Sequence, residues 1–438
     1  MRVEINKLGI NGEGVARATV SPYENKVCFV TEGLPGEILE IEITKDKKNY
    51  CYGEIREIFK SSPNRIHPIC PFYGKCGGCD LQHMDKSLQI EFKQDRIKET
   101  LSKSLDKNIS VEKLVRLNDF GYRNKMVFPI GNSNGHAMLG MFKHNTHNVV
   151  AIDRCLLTSN LINKVLDVSN NYFSKSNFMG YDFINKIGDI KYLVVRNVED
   201  DILVTIVSKI RVDLTEYFKV LKSNFQNVGL SNIVSSSEDD ILSGKYYHID
   251  GLKQLEFNEC GVRYLIDNRG FLQVNTEVKD VLYNLVLDEI EDNEVVIDAY
   301  SGAGLLSAII SKKSKFVTGI EINESASNSA KKMAEDNKIN NIKFINGDVK
   351  DYIENLISEN DKITIVLDPP RSGCDNKVTQ AIISKSDNIS KIIYVSCNPA
   401  TLTRDIAILK DCFNVTKIIP LDMFPQTKHV ETLVVLKK

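Results

Sequence analysis

The chain has 438 residues, of which 42% are hydrophobic and 26% are charged, and its formal net charge is −2. This length is too great for one ordinary core and predicts two or three domains, while the near-neutral charge leaves nucleic-acid binding to local patches. No apolar run approaches the length of a membrane span and no signal-peptide-like segment opens the chain, so we expect a cytoplasmic protein without a membrane partner.

Residues 1–60 predict a small β-barrel. Two runs with strand character, 26–30 and 37–43, lie among turn-forming glycines, as in short strands that close on themselves. The stretch that follows interleaves cationic and aromatic side chains: Lys45, Lys47, Lys48, Arg56, Lys60 and Arg65 with Tyr50, Tyr52 and Phe59. Small barrels bind oligonucleotides through such faces, although a solvated barrel surface explains the same charges about as well.

Residues 61–250 predict a mixed α/β domain. Residues 88–105 have a helical pattern, and the runs 192–196 and 202–207 predict a hairpin around an acidic turn. We therefore expect a mixed α/β domain that contacts the substrate.

Three cysteines lie within ten residues of one another, Cys70, Cys76 and Cys79, and Cys155 is a fourth candidate of the same group. Thiols stay reduced in the cytoplasm, so this pattern favours metal ligation or catalysis over a disulfide framework. Four thiolates can hold a tetrahedral zinc ion or an iron–sulfur cluster, and the spacing does not separate the two. Unrelated core cysteines are the remaining explanation.

Residues 251–438 alternate strands and helices, which predicts a doubly wound parallel sheet. The strand 294–298 leads into a turn with Gly302 and Gly304, where backbone can approach a ligand. Glu321, 23 residues beyond Asp298, is placed to accept hydrogen bonds from ribose hydroxyls. The glycine set is incomplete for a dinucleotide, so we expect a nucleoside cofactor that lacks a pyrophosphate.

Two further acids, Asp348 and Asp368, end the third and fourth strands of this pattern, where contacts to adenine and to substrate would fall. For Glu321 and Asp348, solvated strand ends are the alternative explanation. The run 391–395 then carries Cys397 into the turn Ser396-Cys397-Asn398-Pro399, at the edge of the sheet where ligands bind. Taken alone, such a thiol more often packs as a small apolar side chain.

The succession of strands resembles the class I methyltransferase fold that binds S-adenosylmethionine, and the barrel resembles the TRAM domain, an RNA-binding module. Three motifs resemble the RNA 5-methyluridine methyltransferase family: Asp-Pro-Pro-Arg-Ser-Gly at 368–373, Ser-Cys-Asn-Pro at 396–399 and His-Val-Glu-Thr at 429–432. With the barrel and the cysteines, the resemblance covers nearly the whole chain and is strongest to the branch that acts on 23S ribosomal RNA.

The resemblance implies a role for each site residue. Cys397 would add to uracil C6, and Glu431 would remove the C5 proton. Without the resemblance, the sequence favours an exposed carboxylate near the start of a final strand as the explanation of Glu431. The residues implied at the cofactor are Gln273, Tyr300, Glu321, Asp348 and Asp368. The residues implied at a 4Fe-4S cluster, with zinc as the alternative, are Cys70, Cys76, Cys79 and Cys155. The candidates for RNA contact in the middle domain are Tyr122, Arg123, Asn124, Lys125 and Phe128, with a surface hairpin that does not contact RNA as the alternative. The partner would be ribosomal RNA, bound by a monomer.

Three other functions compete with this one. Transfer-RNA uridine methyltransferases share the motifs but typically lack both the barrel and the cysteine group. An N-methyltransferase would use the Asp-Pro-Pro turn and would not need Cys397. A noncatalytic RNA-binding protein that senses redox state through its cysteines is the third.

Overall fold

A computed structural model describes residues 1–105, 110–133, 135–237 and 239–438. The strands of its N-terminal sheet are β1 (Arg2–Glu4), β2 (Lys7–Leu8), β3 (Gly14–Arg17), β4 (Val27–Val30), β5 (Ile38–Asp46) and β6 (Tyr50–Lys60). They hydrogen-bond in the order β1, β5, β6, β4, β3, β2. β1 and β2, which belong to one short segment, therefore form the two edges of the sheet and pair with β5 and β3. Between β1 and β2, Ile5 N–H donates to Glu37 O (3.0 Å) and Asn6 N–H to Val15 O (2.9 Å). This closure confirms the predicted barrel.

A second sheet follows the first helix, α1 (Lys86–Leu101). Its strands are β7 (Lys125–Ser133), β8 (His136–Phe142), β9 (Val149–Ala151), β10 (Ile190–Val198), β11 (Asp201–Ser208), β12 (Val228–Val234) and β13 (Lys245–Gly251). They lie in the order β13, β12, β11, β10, β7, β8, β9, and the predicted hairpin is the antiparallel pair β10 and β11. Two helices, α2 (Asn160–Phe173) and α3 (Thr215–Asn224), pack on one face of this sheet, where Phe173 and Tyr217 are fully buried.

A hairpin, β14 (Leu255–Glu259) and β15 (Val262–Ile266), leads into the third sheet. The strands of that sheet are β16 (Val295–Ala299), β17 (Phe316–Glu321), β18 (Ile342–Asn346), β19 (Ile363–Leu367), β20 (Ile389–Ser396), β21 (Asn414–Leu421) and β22 (Glu431–Lys437). The helices are α4 (Thr276–Asp288), α5 (Leu305–Ile310), α6 (Glu324–Asp336), α7 (Val349–Ser358), α8 (Asn376–Ser384) and α9 (Pro399–Leu409), with a 3-10 turn at Ser386–Asn388.

The third sheet has the order β18, β17, β16, β19, β20, β22, β21. The first five strands in this order are parallel. Helices cover both faces, with α7, α8 and α9 in one core cluster and α4 in another, which confirms the predicted doubly wound architecture. All five residues of β19 are buried, as expected for a central parallel strand. The chain order reverses between β16 and β19, the position where such sheets bind ligands.

Helix α1 follows the barrel in sequence but packs against the C-terminal sheet. Its residues Ile97 and Leu101 are fully buried in the same core cluster as α9. One turn before Ile97 on the same face of the helix, Lys93 Nζ donates to Asp422 Oδ1 (2.6 Å), and Arg116 Nη1 lies 3.4 Å from Asp422 Oδ2. Both side chains of the Lys93–Asp422 pair are inaccessible to solvent. Burial lowers the pKa of Lys93 to about 8 although Asp422 opposes the shift. This ion pair joins α1 to the loop before β22.

In the described part of the chain, none of the helices combines the length and the apolarity needed to cross a bilayer.

Replacement of Asp422 by alanine should lower the free energy of unfolding in urea by about 3–5 kcal/mol, because it leaves a buried lysine without its partner. The matched control is Glu216→Ala, which breaks the exposed Lys219–Glu216 pair (2.7 Å) and should change stability by less than about 1 kcal/mol. Equal effects of the two substitutions would contradict a structural role for the buried pair.

Candidate active site

The turn between β20 and α9 presents Cys397 at the carboxyl edge of the sheet. Asn398 caps α9, since its Oδ1 accepts from Ala400 N–H (3.1 Å), and Pro399 occupies the first helical turn, where its missing N–H costs nothing. The Asn398 side chain also donates to Arg371 O (2.9 Å), which ties this turn to the one after β19. Cys397, in the turn between β20 and α9, is half-buried.

The register of the last strand places Glu431 opposite Cys397. Strands β20 and β22 are antiparallel, and Ser396 pairs with Thr432. The next position on each strand is therefore Cys397 on one side and Glu431 on the other. Glu431 is 3% exposed, so its carboxyl group is buried beside the turn that carries the thiol.

The charges of this group influence one another. Burial raises the pKa of the Cys397 thiol and the Glu431 carboxylate raises it further, whereas Arg371 lowers it. Burial also holds the pKa of Glu431 well above its ordinary value, with Asp368 adding to the rise and Arg371 opposing it. A carboxyl group of raised pKa is a stronger base once it is ionised, which suits it to removing a proton from carbon.

Two more acids lie where the strand order reverses. Asp298, in β16, is 1% exposed, and burial raises its pKa to about 7 even though Ser307 donates a hydrogen bond to it. Asp368 directly follows β19, and its enclosed position raises its pKa to about 7 as well. Both are therefore partly protonated near neutral pH.

The turn after β16 forms a cradle for a ligand. A Cβ added to Gly302 would meet open space, and the backbone there has φ +55, a conformation that favours glycine. Gly302 N–H donates to Glu321 Oε2 (2.9 Å), and Asn323 N–H donates to Glu321 Oε1 (2.6 Å), so Glu321 lies against this turn at the end of β17. An open glycine turn beside a carboxylate fits the adenosine part of S-adenosylmethionine.

The remaining predicted cofactor residues lie around the same edge. Tyr300 directly follows β16 with φ +69, and Asp348 caps α7 after β18 and pairs with Lys350 Nζ (2.6 Å). Gln273 belongs to the segment between β15 and α4. That segment is tied to the loop before β22, because Asn275 Nδ2 donates to Met423 O (3.3 Å).

The four predicted metal-ligand cysteines are electrostatic neighbours. After burial, the thiols that raise the pKa of Cys79 are Cys155, Cys76 and Cys70. Three sulfurs also have N–H donors: Gly78 N–H donates to Cys76 Sγ (3.3 Å), the Leu157 backbone donates to Cys155, and the Gln82 side chain donates to Cys79. Among the described residues, however, no set of three or more His, Cys, Asp or Glu side chains has the placement that holds a metal ion.

The barrel presents exposed aromatic rings. Tyr50 and Tyr52 are 38% and 39% exposed and contact Phe29, with ring centroids 5.9 and 5.6 Å away. The Arg2 guanidinium lies 3.9 Å from the ring centroid of Phe59. Arg65 does not belong to this face, because its guanidinium makes two hydrogen bonds to the buried Glu37 carboxylate (2.6 and 2.7 Å).

Most of the middle-domain candidates for RNA contact are wrong. Tyr122 and Phe128 are 6% and 0% exposed, and Asn124 is 9% exposed. The Asn124 side chain instead donates to Gln273 O (3.1 Å), and Lys125 Nζ donates to Asn268 O (2.6 Å). Asn124 and Lys125 thus hold the segment that carries Gln273, a role that composition cannot distinguish from RNA contact.

Sequence reasoning also missed the influence of Arg371 and His429. Arg371 follows the Asp-Pro-Pro turn and affects the pKa of Cys397, of Glu431 and of His429. Burial, and then Arg371, lower the pKa of His429 to about 4, so this imidazole is neutral. The sequence signal that pointed to His429 was its position two residues before Glu431.

A groove of about 990 Å³ lies between α2 and α3. The carboxylates that line it are Asp167, Asp189, Asp213 and Glu216, against one cation, Lys175. This charge balance is unfavourable for a polyanion, so the groove is not a candidate RNA site.

A family model described as tRNA (Uracil-5-)-methyltransferase matches residues 85–438, and a TRAM domain model matches residues 1–55. The chain belongs to the tRNA (uracil-5-)-methyltransferase family. It is therefore an S-adenosylmethionine-dependent RNA methyltransferase with an N-terminal TRAM domain.

Two relatives and one solved structure match nearly the whole chain. An uncharacterized RNA methyltransferase of Clostridium tetani is 34% identical over 450 residues, covering 99% of this chain and 95% of the relative. Another from Oceanobacillus iheyensis is 34% identical over 441 residues, covering 96% and 92%. The crystal structure of Pyrococcus abyssi tRNA (uracil-54, C5)-methyltransferase in complex with S-adenosyl-L-homocysteine superposes with a TM-score of 0.79 at 25% identity, covering 100% of both chains.

The raised pKa values of Asp298 and Asp368 predict that the cofactor-free enzyme loses stability as the pH rises from about 5 to about 8. Between their ordinary pKa of 3.8 and the folded value of about 7, the folded state holds protons that the unfolded state has released. Deprotonation therefore favours unfolding. Urea unfolding of wild type and Asp298→Asn at several pH values measures the effect. The variant should lose stability less steeply, and parallel curves would contradict the assignment.

Proposed function

We propose that this enzyme methylates C5 of a uridine in 23S ribosomal RNA through a covalent bond between Cys397 and uracil C6. The observation that carries the proposal is the register of β20 and β22, which sets a thiol and a buried carboxyl group of raised pKa opposite each other. That pair supplies the two protein groups which the reaction needs. It lies at the same edge of the sheet as the Gly302 turn and Glu321, which would hold S-adenosylmethionine.

The first half of the reaction requires a nucleophile. Uracil C5 is too weak a nucleophile to accept a methyl group unaided, and addition of the Cys397 thiolate to C6 converts the ring to an enolate that is reactive at C5. S-adenosylmethionine supplies the methyl group as an electrophilic sulfonium. Arg371 and the N-terminus of α9 favour the thiolate over the thiol, against the burial that opposes it.

The second half requires a base. After methyl transfer, C5 still carries its proton and C6 is still bonded to sulfur. Glu431 accepts the C5 proton, the C5–H electron pair forms the C5=C6 double bond, and the C6–S pair returns to Cys397. The burial that raises the pKa of Glu431 makes it a stronger acceptor for this proton.

The cofactor residues have separate roles in this proposal. Glu321 and the open turn at Gly302 bind the ribose part, and Asp348 lies on the adenine side. Tyr300 and Gln273 contact the cofactor from the ends of β16 and of the segment before α4. Asp368 orients the uracil or the methyl donor, and the prolines that follow it restrict the turn.

The RNA proposal follows the division of the chain. We propose an RNA-binding barrel at 1–60, a central RNA-binding domain at 61–250 and a methyltransferase domain at 251–438, in a monomer that acts in the cytoplasm. Tyr50, Tyr52 and Phe59 offer exposed rings for stacking with unpaired bases. The target uridine must leave its stack to reach Cys397.

Transfer RNA is the second candidate substrate. The barrel and the cysteine group favour ribosomal RNA by resemblance. However, the Pyrococcus abyssi tRNA enzyme is covered over its whole length by this chain, so a full-length match does not exclude tRNA. An experiment that offers both RNAs to the enzyme distinguishes the two substrates.

Covalent trapping on 5-fluorouridine RNA tests both the chemistry and the substrate, because fluorine at C5 cannot be removed as a proton. Wild-type enzyme with labelled S-adenosylmethionine and a 23S ribosomal RNA transcript should give a denaturation-stable complex that carries the label. Cys397→Ala should give none. Cys412→Ala, which replaces another half-buried thiol, should behave as wild type. Methylation by Cys397→Ala would contradict the mechanism, and trapping on tRNA alone would contradict the ribosomal substrate.

We also propose that Cys70, Cys76, Cys79 and Cys155 hold a 4Fe-4S cluster, with zinc as the alternative. Their mutual electrostatic influence and the N–H donors on three sulfurs support this assignment, since such donors stabilise cluster thiolates. Protein purified without oxygen should be brown and contain iron and sulfide. Cys79→Ser should lose the colour, whereas Cys260→Ser, at an exposed cysteine, should keep it. A colourless protein that contains zinc would contradict the cluster.

A further inference from the structure

The loop 422–430 connects β21 to Glu431 and is called the base loop because Glu431 is the proposed general base. Distant parts of the chain donate hydrogen bonds to it along its length. Lys93 Nζ donates to Phe424 O (3.1 Å), and Tyr122 Oη donates to Pro425 O (3.1 Å). Arg96 Nη1 donates to Lys428 O (2.5 Å). The geometry of the base loop therefore depends on groups that precede the methyltransferase sheet in sequence.

The cysteine-rich segment makes the central contact with this loop. The two residues after Cys79, Asp80 and Leu81, both donate their backbone N–H groups to Gln426 O (3.0 Å each). The Asp80 carboxylate accepts a hydrogen bond from Lys428 N–H (3.2 Å), and its other oxygen lies 3.8 Å from Lys428 Nζ. Two consecutive residues thus bind both Gln426 and Lys428.

Gln426 adopts a conformation that needs such support. Its backbone φ is +69, in the left-handed region that costs a non-glycine residue about 1–2 kcal/mol. The residue is 5% exposed, and Gln89 Nε2 donates to its side-chain oxygen (3.1 Å). The bonds from Asp80, Leu81 and Gln89 hold the loop in this shape five residues before Glu431.

The nucleophile is held separately. Cys397 lies in the turn between β20 and α9, which is bonded to Arg371 O through Asn398 and Thr401 (2.9 and 3.3 Å). Removal of the Asp80 carboxylate therefore frees Lys428, three residues before Glu431 in the base loop, while the Cys397 turn keeps its own hydrogen bonds.

We propose that Asp80 is a positioning residue for Glu431, so that the cysteine-rich segment controls the second half of the reaction. This inference rests on the proposed function. When the contact is lost, Cys397 still adds to C6 and C5 still takes the methyl group. Transfer of the C5 proton to Glu431 becomes slow, and the C6–S bond persists. The methylated RNA then remains attached to the enzyme.

Asp80→Ala tests the proposal on RNA with ordinary uridine. We expect kcat to fall about 10–100-fold, since a displacement of about 1 Å can cost 100-fold, with KM for RNA within about twofold of wild type. A denaturation-stable complex that carries labelled methyl should accumulate during turnover, although wild type shows almost none. Loss of activity without this complex, a change in KM alone or unchanged activity would each overturn the proposal.

A second variant and a control separate positioning from folding. Asp80→Asn keeps a side-chain oxygen that can accept the hydrogen bond from Lys428 N–H but carries no charge. It should release its product much faster than Asp80→Ala does, and equal accumulation of the complex by the two variants would contradict the positioning role. Lys75→Ala, at an exposed position of the cysteine-rich segment, should not accumulate it.

Failure of the proposed function can be distinguished from failure of the positioning role. If wild-type enzyme is not trapped on 5-fluorouridine RNA, the covalent mechanism is wrong whatever Asp80 does. If wild type is trapped and Asp80→Ala releases its ordinary product normally, the mechanism stands and the positioning role is wrong.

Discussion

The candidate site depends on the antiparallel direction of β22. Five neighbouring parallel strands end at one edge of the sheet, and each can deliver to that edge only a residue that follows it. Because β22 runs the other way, its first residue lies at the same edge, next to the end of β20. A parallel strand of seven residues would leave Glu431 about 20 Å away at the opposite edge. One reversal of strand direction therefore brings the acid to the thiol.

The crevice concentrates acids that repel one another when they are ionised. Asp298, Asp368 and Glu431 all have raised pKa values, and each is raised first by burial. Arg371 is the cation that opposes the shifts at Cys397 and Glu431. A site with this imbalance favours a cationic ligand, and the sulfonium of S-adenosylmethionine carries a positive charge. The same charges that destabilise the cofactor-free fold thus favour binding of the methyl donor.

Local patterns in the sequence predicted the barrel, the hairpin of β10 and β11 and the doubly wound sheet, because run lengths and glycine turns are encoded within short segments. The pairing of Cys397 with Glu431 came from motif resemblance. It depends on the order β20, β22, β21, which no local pattern specifies. Arg65 shows the same limit: its surroundings in sequence match a surface cation, and its buried partner Glu37 lies 28 residues earlier. Long-range contacts decide both cases.

The salt bridge between α1 and the base loop affects how the chain can fold as it is made. Lys93 and Asp422 are 329 residues apart, so α1 leaves the ribosome long before its charge partner exists. At about 5–20 residues per second, the delay is roughly 20–60 s. The elements that α1 contacts, α9 and β21, are made only near the end of that interval. The methyltransferase core is therefore completed last, after synthesis of the C-terminus, and a nascent chain must keep this helix from wrong partners until then.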